Sequence, residues 1–371
     1  MPDQWRRTSL TSRRDVVRSL PSYKQGAAEG PNAVKLSSNE NPYPPLPSVV
    51  AEITAQMVDP SGGINRYPSM GAEQLRAAIA ARHGVTREQV AVGAGSVEVA
   101  TQLIHATAGL GDEVIFAWRS FEAYPIMTVV AGATPVKVPL GPDLHHDLDA
   151  MAARITDRTR LILLCTPNNP TGTILATDEV ERFLAQVPDD VVVAIDEAYV
   201  HFNRDTDAVS GVEMVARHPN VVALQTFSKA YGLAGLRVGY AIGSVELCED
   251  LRRVAVPFAV SNVAQRAALA SLEHEDELAE RVDRIVSERA RVTQELRAQG
   301  WRVGDSQANF VWLPTADQTA RIDQVLRAEH VFARCWQGEG IRLSIGSRQE
   351  NDRGLAAFAR AVEATRPAAR V

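Results

Sequence analysis

The sequence predicts an α/β protein with a large doubly wound domain around a mostly parallel sheet and a smaller C-terminal α+β domain. Apolar runs such as residues 161–165 and 191–195 are continuous rather than alternating, which is typical of parallel strands buried on both faces. These runs alternate with segments of helical period, as in doubly wound sheets. With 371 residues, of which 45% are apolar, the chain is long enough for two domains.

The predicted elements follow in a regular order. Apolar residues at helical spacing predict helices over residues 73–83 and 97–108, with a short strand over 90–92 between them. Short apolar or β-branched runs predict six further strands of one sheet, over residues 113–117, 135–138, 161–165, 191–195, 221–227 and 238–242. A charged amphipathic helix over 276–299 ends before Gly300 and leads to three more strands and a last helix, over 310–313, 331–335, 341–345 and 349–365. The expected division is an N-terminal arm (1–35), a large cofactor-binding domain (36–275), and a linking helix with a small C-terminal domain (276–371).

Composition narrows the possible partners and location. The balance of 39 basic against 45 acidic residues, a net charge of −6, gives no reason to expect nucleic acid or an anionic membrane as a partner. No apolar run approaches the length of a membrane span, and the Arg-rich start lacks the apolar segment of a signal peptide. The three cysteines are far apart and lack metal-ligand spacing, so we expect no metal site and a cytoplasmic protein.

Lys229 lies in the most informative stretch of the chain, residues 226–237, TFSKAYGLAGLR, which is predicted to run from a strand through a Gly-rich loop into a second strand. Small neighbours let a flat ring approach the amine closely, while Ser228 and Arg237 are suited to hold a phosphate. These features fit a lysine that binds pyridoxal phosphate as a Schiff base. A single Ser-Lys pair in a loop would not carry this interpretation without the segments around it.

Two upstream segments supply the other groups that such a site needs. Residues 191–199, VVVAIDEAY, form an apolar strand whose end places Asp196 where ligands of parallel sheets bind. A carboxylate there keeps the cofactor's pyridine nitrogen protonated, and Tyr199 is placed to hydrogen-bond its phenolic oxygen. Residues 161–172, LILLCTPNNPTG, run from a buried strand into a rigid turn, where Asn169 offers an amide donor to the same oxygen. Taken alone, Asp196 could be a solvated acid at the end of a strand and the second segment an ordinary turn.

In this order along the chain, these segments resemble those of the fold-type I, pyridoxal-phosphate-dependent class I and II aminotransferases, in particular the histidinol-phosphate and aromatic amino acid aminotransferases. The resemblance covers residues 20–365 and includes further stretches at 36–42 (LSSNENP), 65–68 (NRYP), 307–311 (QANFV) and 341–346 (IRLSIG). It implies an aspartate aminotransferase-like fold and pyridoxal 5'-phosphate as cofactor.

The resemblance also assigns roles to further residues. Gly95 and Ser96, in the turn GAGS at 93–96, correspond to a loop that holds the cofactor phosphate, and free N–H groups at a helix start suit that anion. Phe121 matches the aromatic residue that stacks on the cofactor ring. Tyr67 matches a residue that reaches the partner subunit's phosphate, which implies a homodimer with shared active sites. Without the resemblance, these residues could equally be a tight turn, a core aromatic residue and a surface tyrosine.

The substrate-binding residues follow from the same comparison. Arg342 corresponds to the arginine that binds the α-carboxylate, for which a guanidinium offers a bidentate match. Together with Arg334 it could also hold a phosphate. Tyr43, Phe121 and Asn169 are expected to shape the rest of the pocket. The implied reaction moves an amino group from an amino acid to a 2-oxo acid, with Lys229 as nucleophile and proton carrier.

Three departures bear on the choice of amino donor. Histidinol-phosphate aminotransferases typically have Gly at the position of Pro44, Asp at that of Val97, and a longer connection than residues 335–341 provide. The stretch WRSFEAYP at 118–125 is similar instead to aromatic (phenylalanine) aminotransferases of the actinobacterial type. We therefore favour transfer from phenylalanine, tyrosine or tryptophan to 2-oxoglutarate, with histidinol phosphate as the alternative donor.

Two other classes of protein are alternatives. A related decarboxylase would share Lys229 and Asp196, whereas a non-catalytic regulator would need an appended DNA-binding module, for which residues 1–35 are too short.

Overall fold

Two β-sheets organise the described part of the chain, residues 14–21, 26, 29–30, 32–59 and 62–365, in this computed structural model. The helices are α1 (Asp15–Arg18), α2 (Pro47–Val58), α3 (Glu73–His83), α4 (Ser96–Thr107), α5 (Ala123–Ala131), α6 (Leu148–Ala152), α7 (Thr177–Leu184), α8 (Gly211–Arg217), α9 (Val245–Val254), α10 (Asn262–Glu273), α11 (Glu275–Ala298), α12 (Thr319–Ala328) and α13 (Arg348–Thr365). The strands are β1 (Val34–Leu36), β2 (Val90–Gly93), β3 (Glu113–Trp118), β4 (Thr134–Pro139), β5 (Thr159–Cys165), β6 (Val192–Asp196), β7 (Val221–Thr226), β8 (Gly239–Ile242), β9 (Phe310–Leu313), β10 (Val331–Trp336) and β11 (Gly340–Ser344).

The larger sheet has seven strands in the order β2-β8-β7-β6-β5-β3-β4. Strand β8 runs antiparallel to both of its neighbours, and the other pairs are parallel. The order of the strands reverses between β3 and β5, as in a doubly wound sheet. The mostly parallel α/β sheet predicted from the sequence is therefore confirmed.

The continuous apolar runs reflect burial on both faces of this sheet. Along β5, Leu161 and Leu163 pack into one core with side chains of α4, α5 and α9, whereas Ile162 and Leu164 point into the core on the other face. Each of these four side chains is at most 1% exposed. Because neither face of β5 meets water, the strand has no polar position to alternate with.

The smaller sheet has four strands in the order β1-β10-β11-β9, covered by helices α12 and α13. Strand β1 pairs in parallel with β10 and thus joins the beginning of the chain to its C-terminal part. Strands β10 and β11 form an antiparallel pair in which Arg334 lies directly opposite Arg342. This register brings two cationic side chains to the same region of the molecule.

The parallel strands determine where a site can form. Strands β3, β5, β6 and β7 end at the same edge of the larger sheet, and β2, separated from β7 by the antiparallel β8, ends there too. Most of the residues predicted to bind the cofactor lie at these strand ends or in the loops that follow them. Ligands of open α/β sheets bind at this edge.

Only a small part of the expected N-terminal arm is described. Residues 1–13 and most of 22–28 lie outside the described residues, so the structure does not address that part of the expectation. Near α1, the Arg14 guanidinium donates a hydrogen bond of 2.9 Å to the carbonyl of Val130 on α5. Across the described residues, no helix combines the length and the apolar character that crossing a membrane requires.

Candidate functional site

Lys229 lies in the loop that follows β7, at the carboxyl edge of the larger sheet. Its Nζ has a long contact of 3.5 Å with the carbonyl oxygen of Ser38 and lies 5.7 Å from the centre of the Tyr199 ring. Burial lowers the pKa of Lys229 to about 8, and the positive charge of Arg342 acts in the same direction. A larger fraction of this amine is therefore neutral, and hence nucleophilic, near neutral pH than for an ordinary lysine.

A cavity of about 210 Å³, which we call the Lys229 cavity, opens beside this amine. Among the cofactor residues predicted from the sequence, all but Gly95 and Tyr67 line it. Those residues are Ser96, Phe121, Asn169, Asp196, Tyr199, Ser228, Lys229 and Arg237. They come from five segments that are widely separated in the sequence, and the sheet edge brings them together.

Asp196 is the last residue of β6, and its buried carboxylate faces the Lys229 cavity. Its Oδ2 accepts a hydrogen bond of 2.6 Å from the phenol of Tyr124, and its Oδ1 accepts one of 3.2 Å from the backbone N–H of Ala198. Burial raises the pKa of Asp196, while both hydrogen bonds and the positive charge of Lys229 oppose that shift. A cation placed against this carboxylate would relieve the cost of burying it.

Arg237 forms one side of a cradle in the wall of the Lys229 cavity. Its backbone is left-handed, with φ of 57°, and its Nη1 donates a hydrogen bond of 3.1 Å to Oγ of Ser228. Gly95 has φ of 85°, and a Cβ at this position would collide with the Arg237 guanidinium. Helix α4 begins with Ser96, immediately after this glycine. Hydroxyl, guanidinium and helix N-terminus thus converge, which is the donor set that suits a phosphate.

Tyr199 and Asn169 also line the Lys229 cavity. Tyr199 is buried and its hydroxyl oxygen accepts a hydrogen bond of 3.0 Å from Nδ2 of Asn39. Burial raises the pKa of Tyr199, so this phenol is neutral at physiological pH. The Oδ1 of Asn169 accepts a hydrogen bond of 2.5 Å from Nη1 of Arg342, which leaves the Asn169 amide nitrogen as its remaining donor group.

Arg342 lines a second cavity of about 130 Å³, which we call the Arg342 cavity. Phe121, Asn169, Tyr199 and Lys229 belong to both cavities, so the two are adjacent. The guanidinium of Arg342 is buried and its Nη2 donates a hydrogen bond of 2.7 Å to the carbonyl of Ser37. Arg237 lines the Lys229 cavity but not the Arg342 cavity, and Arg342 lines the Arg342 cavity but not the Lys229 cavity.

Arg334 also lines the Arg342 cavity, but its charge is paired. Its Nη2 donates a hydrogen bond of 2.7 Å to Oε2 of Glu122, and Oε1 of the same carboxylate accepts one of 2.8 Å from Nε1 of Trp336. Glu122 precedes α5 directly. The sequence analysis anticipated Arg334 in this pocket but not its carboxylate partner.

Two predicted residues lie apart from both cavities. The side chain of Tyr67 is 82% exposed and stacks on Phe258, with 4.7 Å between the ring centres. Tyr43 is half-buried, and its backbone N–H donates a hydrogen bond of 3.0 Å to Oδ1 of Asn41. Within a single chain, neither tyrosine lines the Lys229 cavity or the Arg342 cavity.

Three further residues contribute to the site without having been assigned a role from the sequence: Tyr124, which contacts Asp196; Asn39, which contacts Tyr199; and Glu122, which pairs with Arg334. All three lie within stretches that carried the family resemblance. Tyr124 lies in the first turn of α5, three residues after Phe121.

Sequence and structure comparisons show which known proteins this chain is similar to. The sequence model of the family described as aminotransferase class I and II matches residues 31–358. An aromatic amino acid aminotransferase of Cutibacterium acnes is 65% identical over 95% of this chain and 99% of that protein, and one of Streptomyces coelicolor is 55% identical over 91% of this chain and 94% of that protein. A histidinol-phosphate aminotransferase from Sinorhizobium meliloti, solved in complex with pyridoxal-5'-phosphate, superposes with a TM-score of 0.86 at 25% identity and covers 96% of this chain and 99% of that one.

Proposed function

Because this chain belongs to the family of class I and II aminotransferases, we propose that it transfers the amino group of an aromatic L-amino acid to 2-oxoglutarate with pyridoxal phosphate bound covalently to Lys229. The observation that carries the proposal is the lowered pKa of Lys229, at about 8, in a cavity shared with the buried carboxylate of Asp196. The relatives at 65% and 55% identity, both named aromatic amino acid aminotransferases, support the choice of donor.

The residues around the Lys229 cavity fit the cofactor group by group. Ser228, Arg237 and the N-terminus of α4 at Ser96 would hold its phosphate, and Gly95 leaves the space that the Arg237 guanidinium occupies. The carboxylate of Asp196 would bind the ring nitrogen at the other end.

Three neutral groups complete the proposed cofactor site. Tyr199 and the amide nitrogen of Asn169 would donate to the phenolic oxygen. The ring of Phe121, which packs edge-on against Tyr124 at 5.4 Å, would contact the face of the cofactor. Pyridoxal phosphate, when bound, supplies an aldehyde for amine exchange and a protonated ring that withdraws electrons from the substrate's α-carbon.

Within this arrangement, Lys229 has two roles. Its neutral amine would be the nucleophile that holds the cofactor, and its Nζ would carry the proton removed from the substrate's α-carbon. Burial favours the uncharged state that both roles require. The hydrogen bonds that Asp196 accepts oppose the effect of burial on its pKa and favour the ionised carboxylate, which would favour a protonated ring nitrogen.

The adjacent Arg342 cavity would receive the substrate. The buried guanidinium of Arg342 is held by Asn169 and Ser37 and would bind the α-carboxylate. Phe121, which lines both cavities, is proposed to lie near the aromatic ring, whereas Tyr43 lines neither cavity of its own chain. Histidinol phosphate is the second candidate donor, because Arg334 and Arg342 line one cavity and the Sinorhizobium meliloti structure is named a histidinol-phosphate aminotransferase.

We also propose that the active unit is a homodimer and that Tyr67 reaches the partner's cofactor phosphate. Tyr67 and Phe258 stack on the surface of the chain, and further exposed apolar side chains lie in the same two segments at Ile64, Met70 and Val256. A solvent-facing group of this kind is typical of a surface that a second subunit covers.

The division into residues 36–275 and 276–371 is likewise proposed, with β1 added to the C-terminal sheet.

Replacement of Lys229 tests this proposal. Purified wild-type protein should absorb visible light when loaded with pyridoxal phosphate, and borohydride should fix the cofactor to Lys229, as read by peptide mass spectrometry. Lys229→Ala should lose the covalent label and at least about a thousandfold in kcat, since nucleophile and proton carrier are both removed. Labelling at another lysine, or near-normal turnover in the variant, would refute the assignment.

A further inference from the structure

Glu122 uses both of its carboxylate oxygens to bind two side chains of β10. Oε2 accepts from the guanidinium of Arg334 and Oε1 accepts from the indole of Trp336, at 2.7 and 2.8 Å. The Glu122 and Arg334 side chains are 25% and 18% exposed, so the pair is largely shielded from solvent. The Trp336 ring also lies 5.5 Å from the Arg334 guanidinium, which fixes that guanidinium between a carboxylate and an aromatic face.

The Arg342 cavity has few charged groups on its walls. In the described part of the chain they are Glu122, Lys229, Arg334 and Arg342. With Lys229 bound to the cofactor, two guanidinium groups and one carboxylate remain, and their charges leave one net positive charge. A single α-carboxylate balances that charge. Without Glu122 the same walls would have two positive charges, which match a dicarboxylate or a phosphate dianion.

We propose that Glu122 is a specificity-determining residue that neutralises Arg334 and so adapts the Arg342 cavity to substrates with one carboxylate and an uncharged side chain. This inference rests on the proposed function, in which the cavity receives the amino donor. A substrate with a second anionic group can still enter the cavity, but that group must compete with Glu122 for Arg334. An acceptor with two carboxylates then binds less tightly than it would beside an unpaired arginine.

The register of the small sheet explains why such a neutralising group is needed. Arg334 and Arg342 are directly opposed on neighbouring antiparallel strands, where like charges destabilise the pair. Glu122 approaches from a different element, directly before α5, and its carboxylate binds Arg334. The charge of Arg334 is thereby removed from the substrate's surroundings, while Arg342 keeps its hydrogen bonds to Asn169 and Ser37.

Binding of two unreactive carboxylates to the cofactor-loaded enzyme tests the proposal. Succinate presents two carboxylates, and 3-phenylpropanoate presents one carboxylate and a phenyl ring. By titration calorimetry, Glu122→Gln should lower the Kd of succinate at least about fivefold and change that of 3-phenylpropanoate by less than about twofold. The gain for succinate should shrink as salt is added, because it arises from charge. A purely structural role for Glu122 would instead weaken both ligands.

Three variants serve as controls. Glu339→Gln removes a different carboxylate, which pairs with Arg119. The side chains of Glu339 and Arg119 line neither cavity, so this variant should leave the ratio of the two Kd values unchanged. Trp336→Phe removes the indole donor but keeps the Glu122–Arg334 pair, so it should also keep the ratio. The double variant Glu122→Gln/Arg334→Gln restores one net positive charge and should return the ratio towards the wild-type value.

The outcomes separate this inference from the proposed function. Melting temperatures establish that each variant is folded. Glu122→Ala removes the same charge as Glu122→Gln and must therefore shift the ratio of the succinate and 3-phenylpropanoate Kd values in the same direction. If this ratio in both Glu122 variants equals the ratio in Glu339→Gln, the inference is overturned. If the ratio shifts as expected while aromatic amino acids fail as donors, the charge-setting role stands and the proposed donor is wrong.

Discussion

The phenol of Tyr124 donates a hydrogen bond of 2.6 Å to Oδ2 of Asp196, and both side chains are buried. The bond joins the first turn of α5 to the end of β6 beside the Lys229 cavity. Burial raises the pKa of Asp196, and this hydrogen bond is the largest of the effects that lower it again. Tyr124 therefore helps to keep Asp196 ionised, which is the state that its proposed role requires.

Replacing Tyr124 by phenylalanine removes this hydrogen bond without changing the size of the ring. A hydrogen bond to a charged group is worth about 1.5–3 kcal/mol, so we expect kcat to fall about tenfold or more. Because the carboxylate loses a stabilising donor, the pKa of Asp196 should rise, and the acidic limb of the profile of kcat against pH should move to higher pH. A profile that coincides with the wild-type one would contradict the positioning role of Tyr124.

Tyr240→Phe is a matched control for Tyr124→Phe. Tyr240 is also fully buried, and its phenol donates a hydrogen bond of 2.6 Å to Oε1 of Gln225, away from Asp196. This variant should lose stability in thermal unfolding while keeping the acidic limb of the kcat profile in place. The comparison separates the loss of a buried tyrosine hydroxyl in general from the loss of the bond to Asp196.

The lowered pKa of Lys229 predicts how fast the cofactor-free protein takes up pyridoxal phosphate. The neutral amine is the reactive form, and burial lowers its pKa to about 8 from the ordinary value of about 10.4. The initial rate, followed by visible absorbance, should therefore rise with pH between 7 and 8 and level off above about 9. A rate that keeps rising to pH 10.5 would show that Lys229 titrates as an ordinary surface lysine.

The same measurement on Arg342→Gln tests whether the charge of Arg342 lowers the pKa of Lys229. After burial, the positive charge of Arg342 is the largest cause that lowers the pKa of Lys229. Removing this charge should raise the pKa and shift the profile of uptake rate to higher pH. A shift to lower pH would contradict the electrostatic account.

Tyr67 should act in the active site of the partner subunit, since it is exposed and lines neither cavity of its own chain. If Tyr67→Phe is impaired on its own, mixing it with Lys229→Ala subunits tests the sharing of sites. Heterodimers should regain one site with both native residues, so activity should exceed the sum of the separate variants. Strictly additive activity, after subunit exchange has been verified by mass spectrometry, would count against a shared site.

Much of the fold follows from local patterns in the sequence. Strands β5 and β6 were predicted within two residues at either end because burial on both faces makes them continuously apolar. Short helices such as α7 and α8 were not assigned, because eight or seven residues contain too few turns for a clear helical period. The pairing of β1 with β10 also could not be read from local patterns, since it joins Leu36 to Ala333.

The site was predictable to the extent that it lies at strand ends. Asp196, Asn169 and Lys229 follow three neighbouring parallel strands, so the topology brings them together. The contacts of Tyr124 with Asp196 and of Glu122 with Arg334 span 72 and 212 residues, and no spacing rule connects such partners. Both depend on how α5 packs against the end of the sheet, which becomes visible only in three dimensions.

The identity of the amino donor can be established by comparing kcat/KM values. With 2-oxoglutarate as the common acceptor, phenylalanine, tyrosine or tryptophan should exceed histidinol phosphate by at least about tenfold, because Glu122 neutralises the second arginine that a phosphate would need. A tenfold preference for histidinol phosphate, roughly 1.4 kcal/mol in the opposite direction, would contradict the aromatic assignment.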